Sequence, residues 1–325
     1  MLVDSHAHLE AVDDLEGSLK RAKEAGVGKI ITIGTSLASS RKAIEIADKF
    51  SAGDLQIYAT CGLHPRDAKG EIDNLGMFHC FETLKQIAKS SSKVVGVGEV
   101  GLDYRLTTDN EQLTTDEEKG FQRELFKAQI NLAADLNLPL IIHCRNGWDE
   151  IFELLKTTIN YSSSETKGRI EKSFDPELKT EGFSTSSNSK VPSLWGVFHS
   201  FTGIWQDAKK ALDLGFYISF SGIVTFKNAK EIQEVGKKMP IERMMIETDS
   251  PFLSPEPIRN GPPKLTSHLS STIRTRLEER NRRVYKQNEP KNVRIIAEFL
   301  AHLRSQPIDK IIGASADNAK RLFGG

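Results

Sequence analysis

The chain has 325 residues, with 44 Lys and Arg against 44 Asp and Glu, so its formal net charge is zero. That balance excludes a histone-like, charge-driven grip on nucleic acid, though not a local basic patch. No apolar run is long enough to span a bilayer, and three scattered cysteines, Cys61, Cys80 and Cys144, exclude a disulfide framework. A reducing location, the cytoplasm or the nucleus, is expected, with a candidate functional motif at residue 4 leaving no room for a cleaved targeting peptide.

Taken in order, Leu2 and Val3 begin a short buried strand that runs into Asp4-Ser5-His6-Ala7-His8. Strict strand alternation puts Asp4, His6 and His8 on one face, where two imidazoles can share a divalent cation. Leu15 to Ala25 reads as a helix ended by Gly26. Lys29 to Gly34 is a β-branched strand, Arg41 to Phe50 a helix, and Leu55 to Thr60 a third strand leading into Cys61-Gly62-Leu63-His64-Pro65. A helix around Met77 to Lys89 precedes strand Val94 to Gly98, which leads into Glu99-Val100-Gly101-Leu102-Asp103. Thr115 and Glu118 form a capping box for a helix with Phe121, Leu125, Ala128 and Leu132 on one stripe.

Later strands are Leu140 to Ile142 ending at His143, Gly196 to Phe198 ending at His199, and Phe216 to Phe220. The eighth, Met244 to Ile246, ends at Glu247-Thr248-Asp249, and a helix from about Lys291 to Arg304 closes the set. Eight strands alternating with amphipathic helices predict an α/β fold, a (β/α)8 TIM barrel, which needs roughly 250 residues. A doubly wound open sheet is the runner-up, but the chain carries no phosphate loop or dinucleotide fingerprint. Two insertions interrupt the rhythm of this single domain, 1–325. One, about 161–191, is rich in Ser, Thr, Lys and Glu; the other, about 255–287, is rich in Arg and Lys and would overhang the active face.

Five of the eight histidines fall at predicted strand ends: His6, His8, His64, His143 and His199. His79, His268 and His302 do not, and read as ordinary surface or helix residues. Four of the strand-end histidines with two carboxylates are too many ligands for one tetrahedral zinc and suit two ions bridged by a carboxylate. His6, His8 and Asp249 would hold one, His143 and His199 the other, with Glu99 between them. Catalytic groups of such barrels come from the C-terminal strand ends, where all six lie.

These words resemble the TatD family of metal-dependent deoxyribonucleases, within the amidohydrolase-like barrels. The similarity rests on Asp4-Ser5-His6-Ala7-His8, Gly62-Leu63-His64-Pro65, Gly98-Glu99-Val100-Gly101-Leu102-Asp103, Ile142-His143-Cys144-Arg145, His199-Ser200-Phe201-Thr202-Gly203 and Glu247-Thr248-Asp249-Ser250-Pro251. Phe220-Ser221-Gly222-Ile223, Asn288-Glu289-Pro290 and Asn318 to Phe323 add to it. The resemblance implies a hydrolase that cleaves DNA phosphodiesters, as a 3′-to-5′ exonuclease on single strands, with Mg²⁺ or Mn²⁺ for activity and Zn²⁺ an alternative. Asp249 and Glu99 would be catalytic, Asp249 taking the proton of the attacking water. His64 and Arg145 would bind the phosphate, an internal ion pair of Arg145 with a barrel carboxylate such as Glu247 being the competing use of that arginine. Asp103 and Glu247 would support ligands from behind, and Cys144 would belong to the core.

Single-stranded DNA is therefore the expected partner, with no membrane and no obligate protein partner. The basic 259–286 stretch would contact phosphates or remain a solvated face, and Trp148, Tyr104 and Phe226 are candidates for base stacking. A metal-dependent amide or ester hydrolase, such as an aminoacyl-tRNA deacylase, is the alternative, and a non-catalytic scaffold the third reading.

Overall fold

Short β-branched and apolar runs become eight parallel strands of one sheet in sequential order: β1 (Leu2–Ala7), β2 (Val27–Thr32), β3 (Gln56–Cys61), β4 (Val94–Asp103), β5 (Leu140–Arg145), β6 (Gly196–Phe198), β7 (Tyr217–Phe220) and β8 (Met244–Ile246). The computed structural model describes residues 1–106, 113–163, 194–260 and 287–324. The first expected insertion begins within a helix that runs to Ser163, and most of both insertions, with His268, lies outside the described residues. Among these, no helix is long and apolar enough to cross a membrane.

The sheet closes on itself. Asp249 N–H donates to the His6 carbonyl at 2.9 Å and His8 N–H to the Ser250 carbonyl at 2.7 Å, which stitches the end of β8 to the end of β1. Sequential order with this seam is a barrel, and the open doubly wound sheet falls away. Helices α1 (Leu15–Glu24), α2 (Leu37–Phe50), α3 (Ala68–Leu75), α4 (Met77–Lys89), α5 (Asp116–Leu136), α6 (Trp148–Ser163), α7 (Trp205–Asp213), α8 (Lys230–Lys238), α9 (Val293–Arg304) and α10 (Ile308–Phe323) stand between and after the strands. The expected capping box of α5 is present, with Thr115 Oγ1 accepting from Glu118 N–H and Glu118 Oε2 accepting from Thr115 N–H.

Two buried layers follow from strand alternation. One joins outward strand residues such as Ile30, Ile57 and Ile218 to the apolar stripes of the helices. The other is the barrel interior, Val3, Ile31, Val95, Ile141, Val197 and Met245, against Ala319, Leu322 and Phe323 of α10. That helix lies beyond the last one expected from the sequence. It is anchored by Asn318 Nδ2, which donates to the Ile241 and Met244 carbonyls, and by Ser315 Oγ, which accepts from Ile246 N–H.

The expected boundaries differ most at β4 and β5, both longer than their apolar cores. They stay paired through Gly101 with His143, Leu102 with Cys144 and Asp103 with Arg145. Gly101 sits at φ +140°, and a Cβ there would lie 2.0 Å from the His143 carbonyl oxygen. Only glycine permits that approach, so the Glu99-to-Asp103 word is strand rather than loop.

Candidate metal centre

At the C-terminal mouth, β1 departs from regular alternation. Its register against β2 shifts between Asp4 and Ala7, so Val3 joins the interior while Asp4 does not share a role with His6 and His8. The Asp4 carboxylate instead accepts from Thr248 N–H at 2.8 Å and from the Thr248 hydroxyl at 2.6 Å, and burial pushes it up to about 8. The expectation that Asp4, His6 and His8 share one face is corrected by this bulge. Asp4 ties β1 to β8, and the two imidazoles are left to reach inward.

His6 Nε2 and His8 Nε2 lie 3.3 Å apart. Asp249 Oδ1 is 3.5 Å from the first and 3.2 Å from the second, and Glu99 Oε2 is 3.5 and 3.6 Å from them. Asp249 holds φ +58°, a left-handed conformation unusual for a non-glycine residue, and its backbone is fixed by the seam bond to His6. The other oxygen of Glu99 serves a second set. Oε1 is 2.8 Å from His143 Nδ1 and 2.7 Å from His199 Nε2, with those two nitrogens 3.2 Å apart. Asp103 Oδ2 stands 3.0 Å behind His143 Nε2, and Glu247 Oε1 3.4 Å behind His199 Nδ1. Glu247 is itself held by Ser200 N–H at 2.6 Å. The His6 and His199 rings stack with centroids 3.9 Å apart.

The donors fit cations better than they fit one another. Asp249 Oδ1 is buried without a hydrogen bond of proper geometry, and an unpaired buried acceptor is costly. A cation roughly 2.0–2.1 Å from each nitrogen or oxygen spaces tetrahedral ligands about 3.4 Å apart. The 3.2 to 3.6 Å separations of the first set match that spacing. The second set is drawn closer, as hydrogen-bonded pairs are.

The charges are strongly coupled. Burial works to raise the Glu99 carboxyl, but His199, His64 and His143 outweigh it and hold it well below its usual range. Burial likewise opposes protonated His199 and His8. Glu99 and Glu247 nonetheless keep His199 well above normal, and Asp249 and Glu10 bring His8 up to about 10. Asp249 is lowered despite burial, by His8 first. Each raised histidine carries a proton that a metal must displace.

His64 faces the second set, with Nε2 3.6 Å from Glu99 Oε1. Its Nδ1 accepts from Arg66 N–H at 3.2 Å, and burial lowers it to about 4; the neutral ring therefore carries its proton on Nε2, toward the site. Arg145 follows His143 on β5, and its Nη1 is 3.8 Å from Asp103 Oδ1. The expected internal pairing of Arg145 with a barrel carboxylate is thus to Asp103 and not to the example Glu247, which is occupied by Ser200 and His199. Cys144 is buried, while His79 and His302 are exposed on α4 and α9.

Of the expected stacking residues, Tyr104 is buried with its hydroxyl donating to Glu150 at 2.7 Å. Trp148 packs on Phe201 with centroids 4.7 Å apart. Phe226 lies under the Arg259 guanidinium at 4.0 Å. The aromatic ring at the mouth is one the sequence reading passed over, Phe252. It is 53 % exposed and 5.6 Å from the His8 ring between centroids. The available signal was its place directly after Asp249-Ser250-Pro251.

A (β/α)8 barrel with histidines and carboxylates gathered at its C-terminal mouth defines a metal-dependent hydrolase. Comparison with known proteins makes this specific: the TatD related DNase family model matches residues 3–324. The chain belongs to that family. It is 33 % identical over 328 residues to a Bacillus subtilis (strain 168) protein named as the uncharacterized metal-dependent hydrolase YabD, covering 99 % of both chains. It is 28 % identical to the 3′-5′ ssDNA/RNA exonuclease TatD of Erwinia tasmaniensis, covering 95 % of this chain and 93 % of the other. Among solved structures, the TatD homologue YJJV of Escherichia coli superposes with a TM-score of 0.72 at 25 % identity, over 100 % of this chain and 98 % of that one.

Proposed function

We propose that the chain is a deoxyribonuclease that removes nucleotides from the 3′ end of single-stranded DNA with two divalent cations. The observation that carries this is the division of Glu99, one oxygen toward His6 and His8 and the other toward His143 and His199. His6, His8 and Asp249 would hold one ion and His143 and His199 the other, with Glu99 shared; Mg²⁺ or Mn²⁺ would serve activity and Zn²⁺ is an alternative. Bound cations supply Lewis acidity, which activates water and offsets phosphate charge.

The protein's own groups supply the rest. Asp249, ionised at neutral pH, can orient the attacking water and accept its proton. Neutral His64 can donate a hydrogen bond from Nε2–H to a phosphate oxygen. Arg145 on the same rim can grip a phosphate, its guanidinium braced by Asp103. Asp103 and Glu247 fix the rings of His143 and His199, so that Nδ1 and Nε2 respectively face Glu99. The names of the Erwinia relative and of the family support a nucleic-acid substrate. We read residues 1–325 as one barrel domain with both insertions as its loops. Three buried free cysteines suit a reducing cytoplasmic or nuclear location.

The test uses chelator-stripped protein reloaded with Mg²⁺, Mn²⁺ or Zn²⁺ and a 5′-labelled single strand. Stepwise shortening from the 3′ end is expected. Intact DNA beside metal-restored turnover of an aminoacyl ester would replace this reading with the ester hydrolase.

A further inference from the structure

We infer that the Phe252 ring is the platform on which the nucleobase beside the scissile phosphate stacks, so the preferred substrate presents an unpaired base at the mouth. The inference rests on the nuclease reading above and adds a recognition element to it. Phe252 follows Asp249 by three residues and exposes about half of its surface, 53 %. Its ring and the His8 ring form a T-shaped pair, at 5.6 Å between centroids and 68° between planes, which sets a half-exposed aromatic ring beside the first donor set.

The exposure is not looseness of the loop. Phe252 N–H donates to the Asp249 carbonyl at 2.8 Å, and its carbonyl accepts from Asn288 Nδ2 at 2.7 Å. Buried Asn288 also donates from Nδ2 to the Thr248 carbonyl and from N–H to the Pro251 carbonyl, and its Oδ1 accepts from Asn292. The Phe252 backbone is thus held at a fixed place relative to Asp249 and His8, and among the described residues its side chain remains half exposed.

Every nucleobase has a π-face, and stacking on aromatic rings is tolerant of sequence. In a nucleotide the base lies next to its phosphate, so a phosphate at the donor sets brings a base to Phe252. A base stacked inside a duplex offers no free face, and a base-free ester has none at all.

Kinetics on two single strands test this: one of ordinary nucleotides, one identical but abasic at its last two 3′ positions. For Phe252→Ala, kcat/KM on the ordinary strand should fall about 5- to 150-fold and be unchanged on the abasic one. Phe252→Trp should retain the wild-type preference. A 2-aminopurine at a phosphorothioate-blocked 3′ end should be quenched by wild type and not by Phe252→Ala, a readout independent of turnover. Equal losses on both strands, or no loss on the ordinary one, overturn the platform while the nuclease stands. Wild type that cleaves neither strand yet hydrolyses an aminoacyl ester overturns both.

Discussion

The two donor sets share Glu99 but are held in different ways. His6, His8 and Asp249 come from the two ends of the barrel sequence and meet at the β1–β8 seam, where backbone bonds and the Asp4–Thr248 clamp fix them. Among the described residues no carboxylate is paired with His6 Nδ1, while Glu10 Oε1 stands 3.7 Å from His8 Nδ1. His143 and His199 come from neighbouring strands, and each has its own carboxylate at its back, Asp103 and Glu247. A ring held by an outer carboxylate has its tautomer and angle set before a metal arrives. The second set is therefore preorganised chiefly through the Asp103–His143 hydrogen bond, and the first chiefly by the closure of the barrel. It follows that the second set should bind its ion more tightly.

The largest effect should come from the residue common to both. Glu99→Ala removes several kcal/mol of charge stabilisation from each set, so activity should fall roughly 10⁴-fold or more. Metal analysis of the dialysed protein should find both ions depleted. Loss of only one would mean that the carboxylate does not bridge.

Asp249→Asn separates the sets. It deletes the proton acceptor, for a loss on the order of 10²–10⁴ in kcat, and should deplete one ion while the other is kept. A variant that loses both ions equally would break the distinction between seam and strand pair. Asp103→Asn should weaken metal affinity at the second set by about 10- to 100-fold, as read by calorimetry on stripped protein. An equal effect on the first set would show that the preorganisation is shared.

Metal removal reads the same contrast as stability. At a free-metal concentration about a hundred times Kd, each bound ion should add about 2.7 kcal/mol, so thermal melts with and without chelator should differ. Protons read the contrast in the stripped protein. His8 is raised to about 10 in the folded state, so its contribution to the stability of stripped protein is full below its ordinary value and is lost as pH rises through about 10. His64 is lowered to about 4, so its contribution is present above its ordinary value and disappears as pH falls through about 4. Denaturant melts of stripped His8→Gln and His64→Gln should lose these opposite slopes. Metal affinity should strengthen with rising pH, because His8, His143 and His199 are all raised and must give up protons.

Much of this was legible along the chain. Strand cores rich in Val and Ile, helices with one apolar stripe, and a histidine or carboxylate just after an apolar run are local patterns, and they specified the barrel and the six residues that face its mouth. The run Lys29 to Gly34 was misplaced by two residues, because apolar character marks burial and not the last backbone bond. The ends of β4 and β5 were cut short because Gly101 reads as a breaker until the close approach of His143 requires it.

What no local pattern contains is which atoms meet. The turn of Asp4 away from His6 follows from a register shift against β2. The pairing of Asp103 with Arg145 follows from β4 lying beside β5, and that of Glu247 with His199 from the mouth bringing the end of β8 across to the end of β6. The value of Phe252 depends on a buried asparagine some three dozen residues further on. The sequence by itself determined the period of the elements and the chemistry at their ends, since both are properties of neighbouring residues. Only the closed barrel decided the partners, because distances across a mouth are set by strand order, stagger and the seam.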